Sequence, residues 1–350
     1  VTDTVRVALA TPLAPDLRHL ITDVDPRVEL LVDDTLLPAQ RYPGDHSGDP
    51  DFRRTPEQQA AFDALLARAD ILYGIPDVQA STLAPAIAAN PRLRWVQAMA
   101  AGGGSTVKAA ELSPEALAQV TFTTAAGVHG GPLAEFALFG VLAGFKGLDR
   151  LQRDQAAHHW PAENYLMRHI AESTVAVIGL GGIGQETARL LNAFGATVLG
   201  VKRAVEPVEH VDEVFATADL PTVVGRADAV VITLPGTEQT ENLYDAAMIA
   251  ATKPGAVLVN VGRGSVVDEA AMIAALRSGH LSAAYLDVVA QEPLATDSPL
   301  WEIPSVVIAP HTAALSVHQD RQIAELFADN LAHFLRGEPM RNVVDTQHFY

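Results

Sequence analysis

Cysteine is absent from the 350-residue chain, which excludes disulfides, thiolate nucleophiles and cysteine-ligated metals and leaves the redox compartment open. Basic residues are scarce beside acidic ones: 24 Lys and Arg stand against 42 Asp and Glu, a formal net charge of -18. Such a surface repels phosphate backbones and anionic headgroups, so neither nucleic acid nor membrane is expected as a partner. Apolar runs are short, and none reaches the roughly 20 residues that cross a bilayer. Near the start, strand-like residues 5–9 lead into Pro12 and Pro15, not into a basic stretch and a long apolar segment. No signal peptide is therefore expected, and the cytoplasm is the expected location. What the chain has in quantity is apolar residues, 49% against 19% charged, enough for a large core and too many for disorder. Its length exceeds what one core serves comfortably, so about two domains are expected.

In the first third, short apolar segments at 5–10, 29–32, 71–75, 94–98 and 120–123 read as strands separated by helical stretches. Between them, residues 41–56 are rich in Pro, Gly and Asp and read as an exposed excursion. A strongly apolar helix opens at Gly131-Pro132 and continues through Phe145, with proline suited to the first helical position. From Thr174 onward strands at 174–178, 197–201, 229–234, 256–261, 282–287 and 305–309 alternate strictly with helices, the pattern of a parallel, doubly wound sheet. Residues 312–335 have helical spacing, and Gly337 and Pro339 stop them. The expected fold is α/β: a Rossmann-type domain at 126–310 inserted into a smaller, flavodoxin-like α/β substrate domain made of 1–125 and 311–350.

The strand at 175–178 runs into Gly179-Leu180-Gly181-Gly182-Ile183-Gly184, and helical composition follows at 186–194 before Gly195. One glycine permits the tight turn, the next admits the pyrophosphate to backbone N–H groups, and the third allows close helix–strand contact. The helix N-terminus favours the anion. Glycines also mark ordinary turns; here the correct flanks on both sides point to a dinucleotide. The next strand ends in Lys202-Arg203 where NAD binding calls for a carboxylate on the ribose 2'-hydroxyl. Cations there suit a 2'-phosphate, so NADPH or NADP is the preferred cofactor and NADH or NAD the alternative.

Three further segments follow strands: Asn260-Val261-Gly262-Arg263-Gly264, Asp287 through Glu292-Pro293, and Pro310-His311. Carboxyl ends of parallel strands converge on the crevice where doubly wound folds bind ligands. Reducing a 2-keto acid requires a proton for the carbonyl oxygen, which His311 can donate. Glu292 suits the carboxylate that stabilises imidazolium and orients the ring. Arg263 offers a planar fork for the substrate carboxylate.

In this order, after this glycine-rich turn, these segments closely resemble the D-isomer-specific 2-hydroxyacid dehydrogenase family over about residues 71–314. The resemblance implies that Arg263, Glu292 and His311 form the catalytic triad. It implies cofactor contacts from Gly179, Gly181, Gly182, Ile183, Gly184, Lys202 and Arg203, with the turn from Leu234-Pro235 to Thr240 lining the crevice and Thr240 reaching a cofactor phosphate. Asp287 matches a position that holds the nicotinamide carboxamide, unless it serves only a strand-end turn, and the Val261 backbone matches one beside the nicotinamide ribose. The stretch from Trp95 through Ala100-Ala101-Gly102 to Gly104 resembles the loop whose N–H groups bind the substrate carboxylate together with Arg263.

Lys202-Arg203 resembles the NADPH-using glyoxylate and hydroxypyruvate reductase branch, and a small 2-keto or 2-hydroxy acid is the implied substrate. The substrate loop, Met99-Ala100-Ala101, has no cationic anchor of the kind phosphite dehydrogenases carry, and Glu292 stands where formate dehydrogenases have glutamine. His158, His159 and His169 lack an accompanying carboxylate pattern and read as a solvated or interface helix, so no metal is assigned. Trp160-Pro161 resembles a family arm that packs across a dimer, which implies a homodimer. The rival reading is a dinucleotide-sensing, corepressor-like interaction protein on the same fold, against which the complete triad counts.

Overall fold

The computed structural model describes residues 4–347 and 349; residues 1–3, 348 and 350 of the expected substrate domain lie outside the described residues. Two compact units are present, Val1–His129 with Leu315–Tyr350 and Gly130–Ala314.

In the first unit the apolar segments become β1 (Val5–Leu9), β2 (Val28–Leu31), β3 (Ile71–Tyr73), β4 (Trp95–Gln97) and β5 (Thr121–Thr123). They pair in parallel in the order β2-β1-β3-β4-β5, the flavodoxin-like arrangement. Near-continuous apolar strands such as β1 and β3 are what a sheet covered on both faces requires. One cover is the Gln319–Arg336 helix, whose Phe327 ring stacks on Trp95 at 4.6 Å and meets Tyr73 edge-on at 5.1 Å. This helix starts at Gln319, later than the helical spacing from residue 312 suggests, because Thr312 and Ala313 give their N–H groups to the Asp287 carboxylate.

The excursion at 41–56 also departs from expectation, since its middle is tucked in. Asp45 is buried and accepts hydrogen bonds from the Arg41 and Gly48 N–H groups and from the Arg41 guanidinium. Asp320, on the covering helix, accepts from the Gly44 N–H and from Gln40 Nε2. These carboxylates satisfy turn N–H groups that a buried loop would otherwise strand. His46 is thereby held with its ring largely buried, Nδ1 4.0 Å from Asp320 Oδ1. Gln319 of the same helix pairs with His129 at 3.1 Å.

The second unit contains β6 (Thr174–Ile178), β7 (Thr197–Val201), β8 (Glu213–Phe215), β9 (Ala229–Ile232), β10 (Ala256–Asn260), β11 (Leu281–Leu286) and β12 (Val306–Ile308). All pair in parallel, in the order β12-β11-β10-β9-β6-β7-β8. Alternation with helices is not strict: β7 passes to β8 through a non-helical stretch, which Pro207 suits because it disfavours helix at Glu206. The Gly130–Lys146 helix lies against β10 and β11 so closely that a Cβ on Gly144 would meet Val257 at 2.5 Å. Its apolar character is therefore largely core packing, through Leu133, Ala137 and Val141, while Phe139 remains 44% exposed. Among the described residues no single helix is long and apolar enough to cross a membrane.

Candidate functional site

At the end of β6 the chain turns at Gly179, whose φ of +100° is a backbone conformation that favours glycine. A Cβ on Gly184 would lie 1.9 Å from the Gly179 carbonyl oxygen, so this glycine is what lets the Gly182–Ala193 helix abut the strand end. Gly181 is the N-cap, and no side chain caps the helix start. The space a Cβ would take on Gly181 or Gly182 is open, with no atom within 4 Å. A cradle open above backbone N–H groups at a helix start fits the pyrophosphate of a dinucleotide.

Beside it, Lys202 follows β7, and its N–H bonds the Phe215 carbonyl. Its Nζ lies 2.5 Å from Glu206 Oε1, and Arg203 is exposed. Leu234 and Pro235 begin the turn after β9. There Thr240 accepts from the Thr237 N–H and donates to the Pro235 carbonyl at 2.6 Å, so its hydroxyl proton is engaged within the turn. Val261 is buried, its N–H held by the Ile232 carbonyl.

The three segments after β10, β11 and β12 meet as a set. Arg263 sits between Gly262 and Gly264, and both glycines mark backbone contacts that leave no room for a side chain. A Cβ on Gly262 would meet the Leu234 carbonyl oxygen at 2.5 Å, and one on Gly264 would meet the Val289 carbonyl oxygen at 1.9 Å. Buried Asn260 shapes the turn: its side-chain oxygen accepts from the Gly262 N–H at 3.0 Å and its Nδ2 donates to the Arg263 carbonyl at 3.0 Å. Sequence reading assigned Asn260 no role; an Asn at a strand end two residues before a glycine is the signal that could have revealed it.

Glu292 is oriented by the turn that Gly264 abuts, with Oε1 accepting from the Val289 N–H. Its other oxygen, Oε2, lies 2.7 Å from Nδ1 of His311. Both side chains are partly exposed, at 38% and 44%, so the pair faces solvent and not the core. His311 adopts φ +55°, rare for a residue with a Cβ, and its N–H bonds the Asp287 carbonyl. Asp287 is 2% exposed, and Oδ1 accepts from the N–H groups of Thr312 and Ala313. Burial pushes its carboxyl above the usual range, against the pull of those N–H groups and of the nearby imidazole. Asp287 thus anchors the backbone on the far side of His311, the strand-end role weighed for it beside carboxamide binding. With Nδ1 committed to Glu292, Nε2 is the ring nitrogen left to meet a substrate.

In the first unit, Ala100, Ala101 and Gly102 form an exposed turn before the Gly103–Ala109 helix, and among the described residues no backbone carbonyl accepts from their N–H groups. His158 and His159 lie just beyond the Leu148–Ala156 helix, and His169 also stands in non-helical chain, so none belongs to the helix expected for them; His159 Nδ1 meets Asp154 at 3.2 Å.

A family model described as D-isomer specific 2-hydroxyacid dehydrogenase, NAD binding domain, matches residues 138–313. The chain is similar to D-3-phosphoglycerate dehydrogenase of Mycobacterium leprae, 33% identical over 285 residues that cover 79% of this chain and 53% of that protein. It is also similar to glyoxylate/hydroxypyruvate reductase B of Citrobacter koseri, 39% identical over 181 residues, 51% of this chain and 55% of that protein. The chain thus spans about half the length of these curated relatives. A solved D-isomer specific 2-hydroxyacid dehydrogenase from Xanthobacter autotrophicus Py2, in complex with NADPH and MES, matches with a TM-score of 0.76 and 28% identity over 100% of both chains. By these matches and by its own strand-end geometry, the chain belongs to the D-isomer specific 2-hydroxyacid dehydrogenase family.

Proposed function

We propose that the protein is a cytoplasmic, NADPH-preferring reductase of small 2-keto acids of the glyoxylate and hydroxypyruvate type. The observation that carries this reading is the His311–Glu292 pair at 2.7 Å, set at strand ends beside the Arg263 turn that packs on Val289. The Gly179 to Gly184 cradle and the cationic end of β7 suit a dinucleotide with a 2'-phosphate, held by Gly181, Gly182, Ile183, Lys202 and Arg203. When bound, NADPH supplies the hydride for the keto carbon.

The rest is the work of the chain's own residues. His311 donates its Nε2 proton to the carbonyl oxygen as charge develops there. Glu292 holds the ring by Nδ1, fixes which nitrogen faces outward and stabilises the imidazolium before transfer. Arg263 pairs with the substrate carboxylate and polarises the adjacent ketone. By the family resemblance, the exposed N–H groups of Ala100, Ala101 and Gly102 also suit a substrate carboxylate. Without a cation at 99–102, that loop favours substrates carrying no second anionic group.

We further propose a homodimer built on the arm after the Leu148–Ala156 helix. Trp160 is 93% exposed and Leu166 100% exposed, apolar side chains that a second copy of the chain would bury.

The test is NADPH oxidation with glyoxylate, hydroxypyruvate, 3-phosphohydroxypyruvate and larger 2-keto acids, run beside NADH. Turnover of the small acids with NADPH is expected, and weak turnover of the phosphorylated one. Tight NADPH binding with no turnover of any acid would overturn the reductase in favour of a dinucleotide sensor.

A further inference from the structure

The end of β7 carries more acid than base. Lys202 and Arg203 are followed by Glu206, Glu209, Asp212 and Glu213. Most of these carboxylates are engaged elsewhere. Asp212 accepts the Val198 N–H at 2.7 Å at the opposite end of the strand, Glu213 pairs with Arg226, and Glu209 lies 3.3 Å from the His210 ring. Glu186, on the adjoining Gly182–Ala193 helix, pairs with Arg189 at 2.6 Å. Among the described residues, Glu206 is the carboxylate of this group that pairs with Lys202, with Oε1 2.5 Å from Nζ. Lys202 is tied down at both ends: its N–H is fixed by the Phe215 carbonyl, and its side chain is only 21% exposed. Glu206 is 64% exposed and precedes Pro207, which restricts its backbone to extended conformations.

We propose that Glu206 sets cofactor selectivity by competing with the 2'-phosphate of NADPH for Lys202, so that the protein binds NADPH less tightly than its cationic strand end permits. The inference rests on the reading that Lys202 and Arg203 receive that phosphate. A carboxylate already seated on Lys202 must share the ammonium or give it up when a second anion arrives, and it repels that anion meanwhile. A phosphate carrying about -1.5 to -2 charges, roughly 5 Å from a unit negative charge in a water-like dielectric, loses about eight- to sixteenfold in affinity without salt and about three- to tenfold once ordinary buffer salt screens the pair. A ribose 2'-hydroxyl carries no charge and loses nothing, so Glu206 narrows the preference for NADPH over NADH without touching the hydride chemistry. Salt weakens the effect because both groups lie at the surface.

The experiment compares dissociation constants for NADPH and NADH, by cofactor fluorescence or calorimetry without substrate, in the wild type, Glu206→Gln and Arg203→Ala. Glu206→Gln is expected to tighten NADPH about three- to tenfold, to leave NADH within about twofold, and to lose most of this gain between about 50 mM and 0.5 M salt. Its melting temperature should stay near wild type, because an exposed ion pair adds little stability. Arg203→Ala is expected to weaken NADPH selectively. An unchanged NADPH affinity in Glu206→Gln, or an equal gain for both cofactors, overturns the role of Glu206. If Arg203→Ala also leaves NADPH affinity unchanged, the reading of the strand end falls with it; if Arg203→Ala weakens NADPH alone, that reading survives and only Glu206 is dismissed.

Discussion

Replacing Gly264 by alanine puts a methyl group 1.9 Å from the Val289 carbonyl oxygen, 2.0 Å from its carbon and 2.6 Å from the Ala290 nitrogen. All three are backbone atoms, so no side chain can swing aside. Relief requires the two turns to separate by more than about an ångström, since ordinary contacts lie near 3.5 Å. The displaced turn is the one that orients Glu292 through the Val289 N–H, and the Glu292–His311 contact is 2.7 Å. A shift of that size stretches it beyond hydrogen-bonding distance. Misplacement by about 1 Å costs on the order of 100-fold in rate, and overpacking a close backbone contact costs about 3 kcal/mol of stability. We therefore expect Gly264→Ala to reduce kcat for keto-acid reduction about 100-fold while the dissociation constant of NADPH, whose cradle lies at Gly179 to Gly184, changes little. Steady-state kinetics, cofactor fluorescence and thermal melting measure the three quantities. A variant with wild-type kcat would refute the mechanical link between the arginine turn and the glutamate turn.

His311→Ala should lower kcat by about 100- to 10,000-fold with NADPH affinity retained, and undiminished turnover would remove His311 from the proton step. If the chain forms the proposed homodimer, Trp160→Ser combined with Leu166→Ser should convert it to monomer in sedimentation at micromolar concentration; a wild type that sediments as a monomer would refute the dimer, and a dimer that persists in the variant would place the interface elsewhere. Burial holds the imidazoles of His46 and His129 below the ordinary histidine range. The unfolded chain therefore takes up protons first as pH falls below about 6.5, and the stability present above that value is progressively lost as pH falls. Thermal melting at pH 7.5 and 5.5 should show the loss, reduced in His46→Gln; a pH-independent melting temperature would contradict it.

Much of this architecture is visible in the sequence because parallel strands buried on both faces leave short, unbroken apolar runs, as at 174–178 and 256–260. β8 is harder to see: Glu-Val-Phe is three residues long, partly exposed and preceded by an acidic, proline-containing stretch. The tucked middle of the 41–56 excursion is hidden for another reason. Pro, Gly and Asp mark turns equally well whether their N–H groups meet water or a carboxylate such as Asp320, which is 276 positions away from Gly44. At the candidate site, residue types and order point to Arg263, Glu292 and His311, whereas the packing of Gly264 on Val289 and the bonds from Asp287 to Thr312 and Ala313 are contacts between separate segments. No local pattern encodes these.

Asp287 illustrates what such a contact entails for anyone redesigning the protein. Its carboxylate fastens the chain immediately beyond the histidine, and its carbonyl takes the histidine's own amide. Exchanging this residue to alter what the pocket recognises would also unseat His311, the proposed proton donor. Under the proposed roles, recognition and turnover are inseparable at this position, and changes of cofactor or substrate are better sought at the rim, where side chains can vary without disturbing the backbone that carries His311.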